Sequence, residues 1–337
     1  MRLGLAAAVL LLVLAGAYSA FWFVVAGRIA DGVGQWADAL RGQNLDLSWR
    51  AVRVAGFPLA FRVELSDARL RDGATPPGAE LRLKMLSGSA RPWNFRVWHV
   101  AAPDGLSATA GPVDAPIARL SARTVEGSVA LAGERGASVW LGLAEPVLEA
   151  GVRVAAHRAD LRLVLPEQPP RTHADRAVAI ALDAREIALP MAPAPFRNPV
   201  DSVALGVTVM GAIAAGQPRE AAAAWRDSGG TLELDALALR WGTLAITGSG
   251  TVALDPELQP IGAFSGAIEG YDALIAAFVG AGRMRAGDAR LARLALGMLA
   301  KPGPGGQPRI ATSFTIQNGE MSLGPVKLGK APRIAWE

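Results

Sequence analysis

The stretch Gly324–Arg333, GPVKLGKAPR, carries the spacing G-x-x-x-x-G-K. In a nucleotide-binding loop that spacing joins a strand to a helix. Backbone amides at the helix N-terminus hold phosphate, the lysine meets the terminal phosphates, and a following Ser or Thr binds magnesium. Here Ala331 stands where the hydroxyl belongs, Pro332 follows, and the remaining RIAWE offers no helix of useful length. Pro325 also removes one amide from the loop. The residues therefore read as a closing β-hairpin and not as a phosphate cradle.

The other chemistry-bearing residues fail comparable tests. GVGQWA (Gly32 to Ala37) echoes a dinucleotide fingerprint, but it follows an apolar helix and not a strand. His99, His157 and His173 have no second ligand at metal-binding spacing, and His157 with Asp160 reads as the flank of a strand. Ser249 sits in GSG without the G-x-S-x-G elbow that exposes a nucleophile. Glu145 and Glu149 are separated by Pro146, which spoils them as an acid/base pair. The chain has no cysteine, which excludes disulfides, thiolate nucleophiles and cysteine metal sites. The expectation is a protein without catalytic, cofactor-binding or metal-binding residues, not an enzyme.

Composition sharpens this. Of 337 residues, 51% are hydrophobic and 19% charged, enough apolar surface for a substantial core and too much for general disorder. The net charge is only +4, and all basic residues except Lys84, Lys301, Lys327 and Lys330 are arginines, mostly scattered singly. No basic run is interleaved with aromatics, so a nucleic-acid partner is not expected.

From Leu3 to Gly27 no charge interrupts the apolar residues. About 20 residues cross the hydrocarbon layer, so this segment spans it. Ala15-Gly16-Ala17 offers a signal-peptidase-like site, but the apolar run continues through Phe21 to Val25, which favours an uncleaved anchor. Charges do not decide orientation, with Arg2 on one side and Arg28 and Arg41 on the other. The short N-terminal flank argues for a cytoplasmic amino end. The expected organisation is an anchor over 1–27 and one β-rich periplasmic domain over 28–337, attached to the inner membrane by a single pass. After the anchor, Ile29, Val33, Trp36, Ala37 and Leu40 share a helical face suited to a membrane surface or to one end of a sheet.

From about Leu45 the dominant period is two, the pattern of antiparallel strands buried on one face. Val52 and Val54 lead into a turn at Gly56-Phe57-Pro58, and Phe61, Val63 and Leu65 return. Leu81–Met85, then Trp93, Phe95 and Val97, then Leu161, Leu163 and Leu165 continue the alternation, with loops expected at 166–176 and 189–199. In GGTLELDALALRWG the phase shifts by one residue between Leu234 and Leu237, which predicts a bulge. Leu244, Ile246, Val252 and Leu254 stay in phase across Gly248 and Gly250, and Phe264 and Ile268 follow. A helix capped by Asp272 should run to Phe278, and a second should start near Ala286 with Leu291, Leu294, Ala295, Met298 and Leu299 on one stripe. Asn318-Gly319 then joins two closing strands.

WGTLAITGSGTVALDPELQPIGAFSGAIEGYD, together with VRVAGFPLAFRVEL, the anchor and FTIQNGEMSLGPVKLGKAPRI, resembles the AsmA-like envelope proteins. More narrowly it resembles a bacterial family called domain of unknown function 2125. The resemblance implies an anchored, curved, mainly β antiparallel sheet with an apolar groove, a role in outer-membrane maintenance, and phospholipid as the cargo. A sheet this long with one apolar face either folds over on itself or accepts lipid. The groove candidates are Leu244, Ile246, Val252, Leu254, Phe264, Ile268, Phe314 and Ile316. The competing reading is an assembly or scaffold protein that binds other envelope proteins through strand edges or the loops around Pro166 and Pro193.

Overall fold

A computed structural model describes residues 2–42, 44–72, 78–112, 115–192, 195–214, 217–303, 308–324 and 326–336. The protein is mainly β, and its strands pair antiparallel among the described residues. In chain order come α1 (Arg2–Arg41), β1 (Leu45–Ser48), β2 (Ala51–Ala55), β3 (Phe61–Asp72), β4 (Ala79–Arg91), β5 (Asn94–Ala102), β6 (Leu106–Ala110) and β7 (Ala118–Ala122). They are followed by β8 (Thr124–Ala132), β9 (Gly136–Ala144), β10 (Val147–Ala150), β11 (Val152–Leu165), β12 (Arg176–Ala188) and β13 (Val200–Met210). After α2 (Pro218–Asp227) come β14 (Thr231–Trp241), β15 (Leu244–Leu254) and β16 (Pro260–Glu269). The chain closes with α3 (Tyr271–Gly280), α4 (Ala286–Leu299), β17 (Lys301–Pro302), β18 (Pro308–Gln317), β19 (Glu320–Leu323) and β20 (Val326–Lys330).

The chain divides into two compact units, one of residues 1–131 and 141–153, the other of residues 132–140 and 154–337. In the first unit, β3 pairs with β2 over its first half, with β1 over its last residues, and with β4 along its length. Then β4 pairs with β5 and β6, β5 with β8, β6 with β7, and β7 with β10. The apolar run predicted as an anchor and the amphipathic turns after it are one continuous helix. Its second half covers the β2–β3 hairpin: Trp22 stacks on Phe61 with centroids 5.0 Å apart, and Ile29 and Val33 pack on Val63, Leu65 and Ala68. Phe61 is completely buried. Trp36 departs from the expected face and lies exposed, while Ala37 beside it is buried. The small side chain is the one that permits close approach of helix and sheet. Trp22 and Ala26 belong to this core, so a cut at residue 28 would remove part of it.

The second unit is a meander. From β11 each strand pairs with the next through β16, which pairs with β18, then β19 and β20, and β9 pairs with β11. The predicted bulge is present: pairing with β15 shifts between Leu234 and Leu237. Asn318 and Gly319 both have positive φ, 52° and 70°, as a tight hairpin turn requires. MSLGPVKL is not one strand, however. It breaks at Gly324 (φ 55°) into β19 and β20, so the glycine-lysine motif lies on a β-hairpin and not before a helix.

The helical pair is in place, with one correction to its cap and a facing that periodicity does not give. Gly270 occupies the N-cap of α3 in the left-handed region (φ 68°), where a Cβ would meet the Thr243 carbonyl oxygen at 2.0 Å. Asp272 instead lies in the first turn and pairs with Arg293 at 3.4 Å. On α4 the face turned inward is the small one. Ala289 is 1% exposed and packs with Tyr271, Ile275 and Ile310, whereas Met298 is 84% exposed, with Leu291 and Leu294 also facing out. Leu299 lies outside the residues whose side chains are described.

Candidate functional site

The eight groove candidates share one face of the second unit, because directly paired residues of antiparallel strands point the same way. Ile246 pairs with Leu239 and Ile268, and Ile268 pairs with Ile310. Phe264 pairs with Gly250 and Phe314. Val252 pairs with Leu232 and Gly262, and Gly262 with Ile316. The same face continues through Leu205 and Val207 on β13, Leu182 and Ile180 on β12, and Leu161 and Leu163 on β11. The opposite face is polar. Ser249 and Ser265 pair there, with Ser313 beyond, and Arg158–Arg185 and Asp160–Asp183 form rows on β11 and β12. Ser249 is thus one member of a solvent-facing serine row, not an isolated nucleophile.

Glycines shape the middle of the apolar face. At Gly250 a Cβ would lie 2.5 Å from both the Ala263 carbonyl oxygen and a ring carbon of Phe264. Gly250 therefore lets the Phe264 ring lie down on the sheet, beside Phe314 at 5.5 Å between centroids.

The candidates separate into three environments. Leu244 is buried, and Ile268 packs into the core beneath α3 and α4. Ile246, Phe264, Phe314 and Ile316 are half-buried. Val252 and Leu254 line a cavity of about 420 Å³ together with α2 and the final residues of the chain. That volume is in the range of small-molecule sites.

The cavity is built from Val209, Leu232, Val252 and Leu254 as floor, Ala221, Ala222 and Trp225 of α2 as one wall, and Ile334 and Trp336 as another. Each tryptophan spends its one donor on backbone. Trp225 Nε1 donates to the Met210 carbonyl at 2.7 Å, and Trp336 Nε1 to the Leu258 carbonyl at 2.8 Å. Gln259 holds the tail from both sides, accepting from the Ile334 amide at 2.9 Å and donating to its carbonyl at 3.2 Å. Among the described residues the lining offers an occupant only hydrocarbon and ring surface, and none of it is ionisable.

Neither α2 nor the tail was read from the sequence as part of a site. The signals for α2 were present: Pro218 at the first helical turn, the run AAAAW, and Gly229-Gly230 beyond its end. The tail carries only Ile334 and Trp336 as clues, and its partner Gln259 is far away in sequence. Of the two expected loops, residues 166–175 have no regular structure, whereas Pro193 lies outside the described residues.

A larger cavity, about 520 Å³, lies in the first unit and is lined by Arg71, Glu80, Arg82, Ser107, Thr109 and Arg119. It is polar, and both Arg71 and Arg82 are engaged by Glu80, at 3.1 and 2.7 Å. Hydrogen bonds from Arg82 and then Arg71 hold the Glu80 carboxyl below the usual glutamate range, against the opposing effect of its burial. Glu145 and Glu149 pair with Arg123 and Arg153. Among the described residues no group of three His, Asp or Glu side chains is placed to hold a metal ion.

Fold and site together define a mainly antiparallel β protein with a helix long and apolar enough to cross a membrane and an apolar cavity in its second unit. The chain belongs to the family described as uncharacterized protein conserved in bacteria, domain of unknown function 2125, whose model matches residues 22–332. No curated protein and no solved structure matches it.

Proposed function

We propose that this is a non-enzymatic envelope protein, held in the inner membrane by α1 with its body in the periplasm, that binds a phospholipid acyl chain on the apolar face of its second unit. The observation that carries the reading is the cavity between α2, β15 and the tail. Its wall tryptophans spend their donors on backbone and its lining among the described residues carries no charge, so it suits hydrocarbon better than a polar substrate. The apolar band running from the exposed Leu161 to the half-buried Phe314 extends the same chemistry across several strands. The AsmA-like resemblance points the same way and supplies outer-membrane maintenance as the role.

The test uses the full chain, since α1 is part of the first unit's core. In vesicles containing a phosphatidylcholine with a diazirine near the acyl terminus, photolysis should label α2, β15 and residues 333–336 as well as α1. Ala221→Trp, which fills the cavity, should remove the first set and leave the label on α1. Labels confined to α1 in the unmodified chain would sink the reading.

One observation favours a second reading, an assembly protein. The outward stripe Leu291, Leu294 and Met298 on α4 is exposed and apolar. A stoichiometric protein partner lost on Leu291→Glu, with no acyl label in the cavity, would favour it.

A further inference from the structure

The β2–β3 hairpin of the first unit points back along α1 toward its amino end. Going down the helix from Val33 to Ile29, Ala26, Trp22 and Tyr18, the neighbours on the sheet run from Leu65 and Val63 to Phe61 and then to the turn at Phe57-Pro58. Trp22 Nε1 donates to the Ala60 carbonyl at 3.2 Å, and the Tyr18 hydroxyl donates to the Pro58 carbonyl. The Phe57 ring stacks on Phe23 at 5.8 Å and meets Trp22 edge-on at 5.5 Å. The turn is thus tied to α1 inside the apolar run that crosses the membrane.

Length fixes the depth. A span of about 20 residues starting at Leu3 reaches Trp22 and the uncharged run continues to Gly27, so Tyr18 and the turn bonded to it lie at least four residues of helix, about 6 Å, inside the end of the apolar run. Residues at this end of the unit are apolar and uncovered: Leu59 is 67% exposed and Trp93, in the turn between β4 and β5, 66%. Trp93 belongs to the same end because Ala90 pairs with Phe61, and the Phe95 ring lies 5.4 Å from that of Phe61. Leu131, one residue beyond the Ala130–Val97 pair, is also exposed.

Charge completes the pattern. Neither AGFPLAFR (55–62) nor ARPWNFRV (90–97) contains an acidic residue, and both contain arginine. Arg62, Arg91 and Arg96 are exposed, and Arg91 lies 5.8 Å from the centre of the Trp93 ring. Apolar tips backed by arginines match a bilayer surface, where the tips enter the acyl boundary and guanidinium groups meet lipid phosphates.

We propose that the β2–β3 and β4–β5 turns rest in the surface of the bilayer that α1 crosses, so that the first unit is seated on the membrane by Leu59, Phe57 and Trp93 instead of hanging from one helix. This does not depend on acyl-chain binding in the second unit.

The absence of cysteine makes the test direct. Leu59→Cys, Trp93→Cys and Ile117→Cys are each made in the full chain, spin-labelled and placed in phosphatidylcholine–phosphatidylglycerol nanodiscs. Ile117 is 66% exposed and apolar like the others, but it bonds to Ala110, whose partner Ala79 is at the opposite end of β4 from Ala90. That is roughly 36 Å of strand away. The ratio of oxygen to nickel-complex collision rates should be at least about threefold higher at 59 and 93 than at 117, because hydrocarbon excludes the polar complex. Equal, water-like ratios at all three sites would overturn the proposal, as would spin–spin broadening at 59 showing a second protein chain on the turn. Circular dichroism checks that each variant folds, and Leu131→Cys replaces Trp93→Cys should that variant fail.

Discussion

The two units solve the same problem differently. Each has strands with one apolar face, and an apolar face exposed to water must be covered. In the first unit the cover around Phe61 is a helix of the same chain, and the result is a buried core of Trp22, Ala26 and Phe61. In the second, three short helices pack on parts of a face that runs from β11 to β19, and Leu161, Ile180 and Leu182 on that face remain exposed. Burial in the first unit serves stability. The partly exposed band in the second retains apolar surface that an occupant could cover.

That contrast gives predictions whose largest concerns the first unit. Phe61→Ala should cost about 3–5 kcal/mol, the range for truncating a buried phenylalanine, read from urea unfolding of the full chain in detergent. Leu182→Ala should cost under about 1.5 kcal/mol, since its side chain is only partly withdrawn from water. Equal costs would erase the distinction between the units. Gly250→Leu falls between them, at roughly 1–3 kcal/mol for overpacking, because the Ala263 carbonyl is backbone and Phe264 must leave its place on the sheet. It should also displace the Phe264–Phe314 contact, visible as a change in ring-current shifts.

The smallest effect concerns Glu80. Its carboxyl titrates below the ordinary glutamate range when folded, so its contribution is fully present above the unfolded value of about 4.3 and is lost as pH falls through the lower folded value. Glu80→Gln should flatten the decline of the urea midpoint in that window and leave the slope at neutral pH unchanged. The effect is small because Arg71 and Arg82 are more than half exposed, so solvent screens the pairs.

Much of this architecture is written in local pattern. The strands over Phe61–Leu65 and Leu244–Leu254, the bulge between Leu234 and Leu237, and the Asn318-Gly319 turn follow from side-chain alternation and backbone preference at single positions. The common face of Ile246, Val252, Phe264 and Phe314 is equally legible, because a period of two carries phase across each short turn. The direction in which the α4 stripe faces is not legible, for the converse reason. Helical periodicity shows that Leu291, Leu294 and Met298 share a side, but close packing on β18 selected the alanine side.

What the sequence determined by itself is therefore the set of elements and the absence of cysteine chemistry: an apolar helix, many alternating strands, a helical pair. Only the tertiary structure decided that Trp22, within the apolar run, stacks on Phe61, and that Ile334 and Trp336 return to Gln259 and Leu258 to wall an apolar cavity. Those contacts join residues roughly forty and seventy-five positions apart. Local propensity has no term for such distances; they are set by which apolar surfaces remain uncovered once the strands have paired.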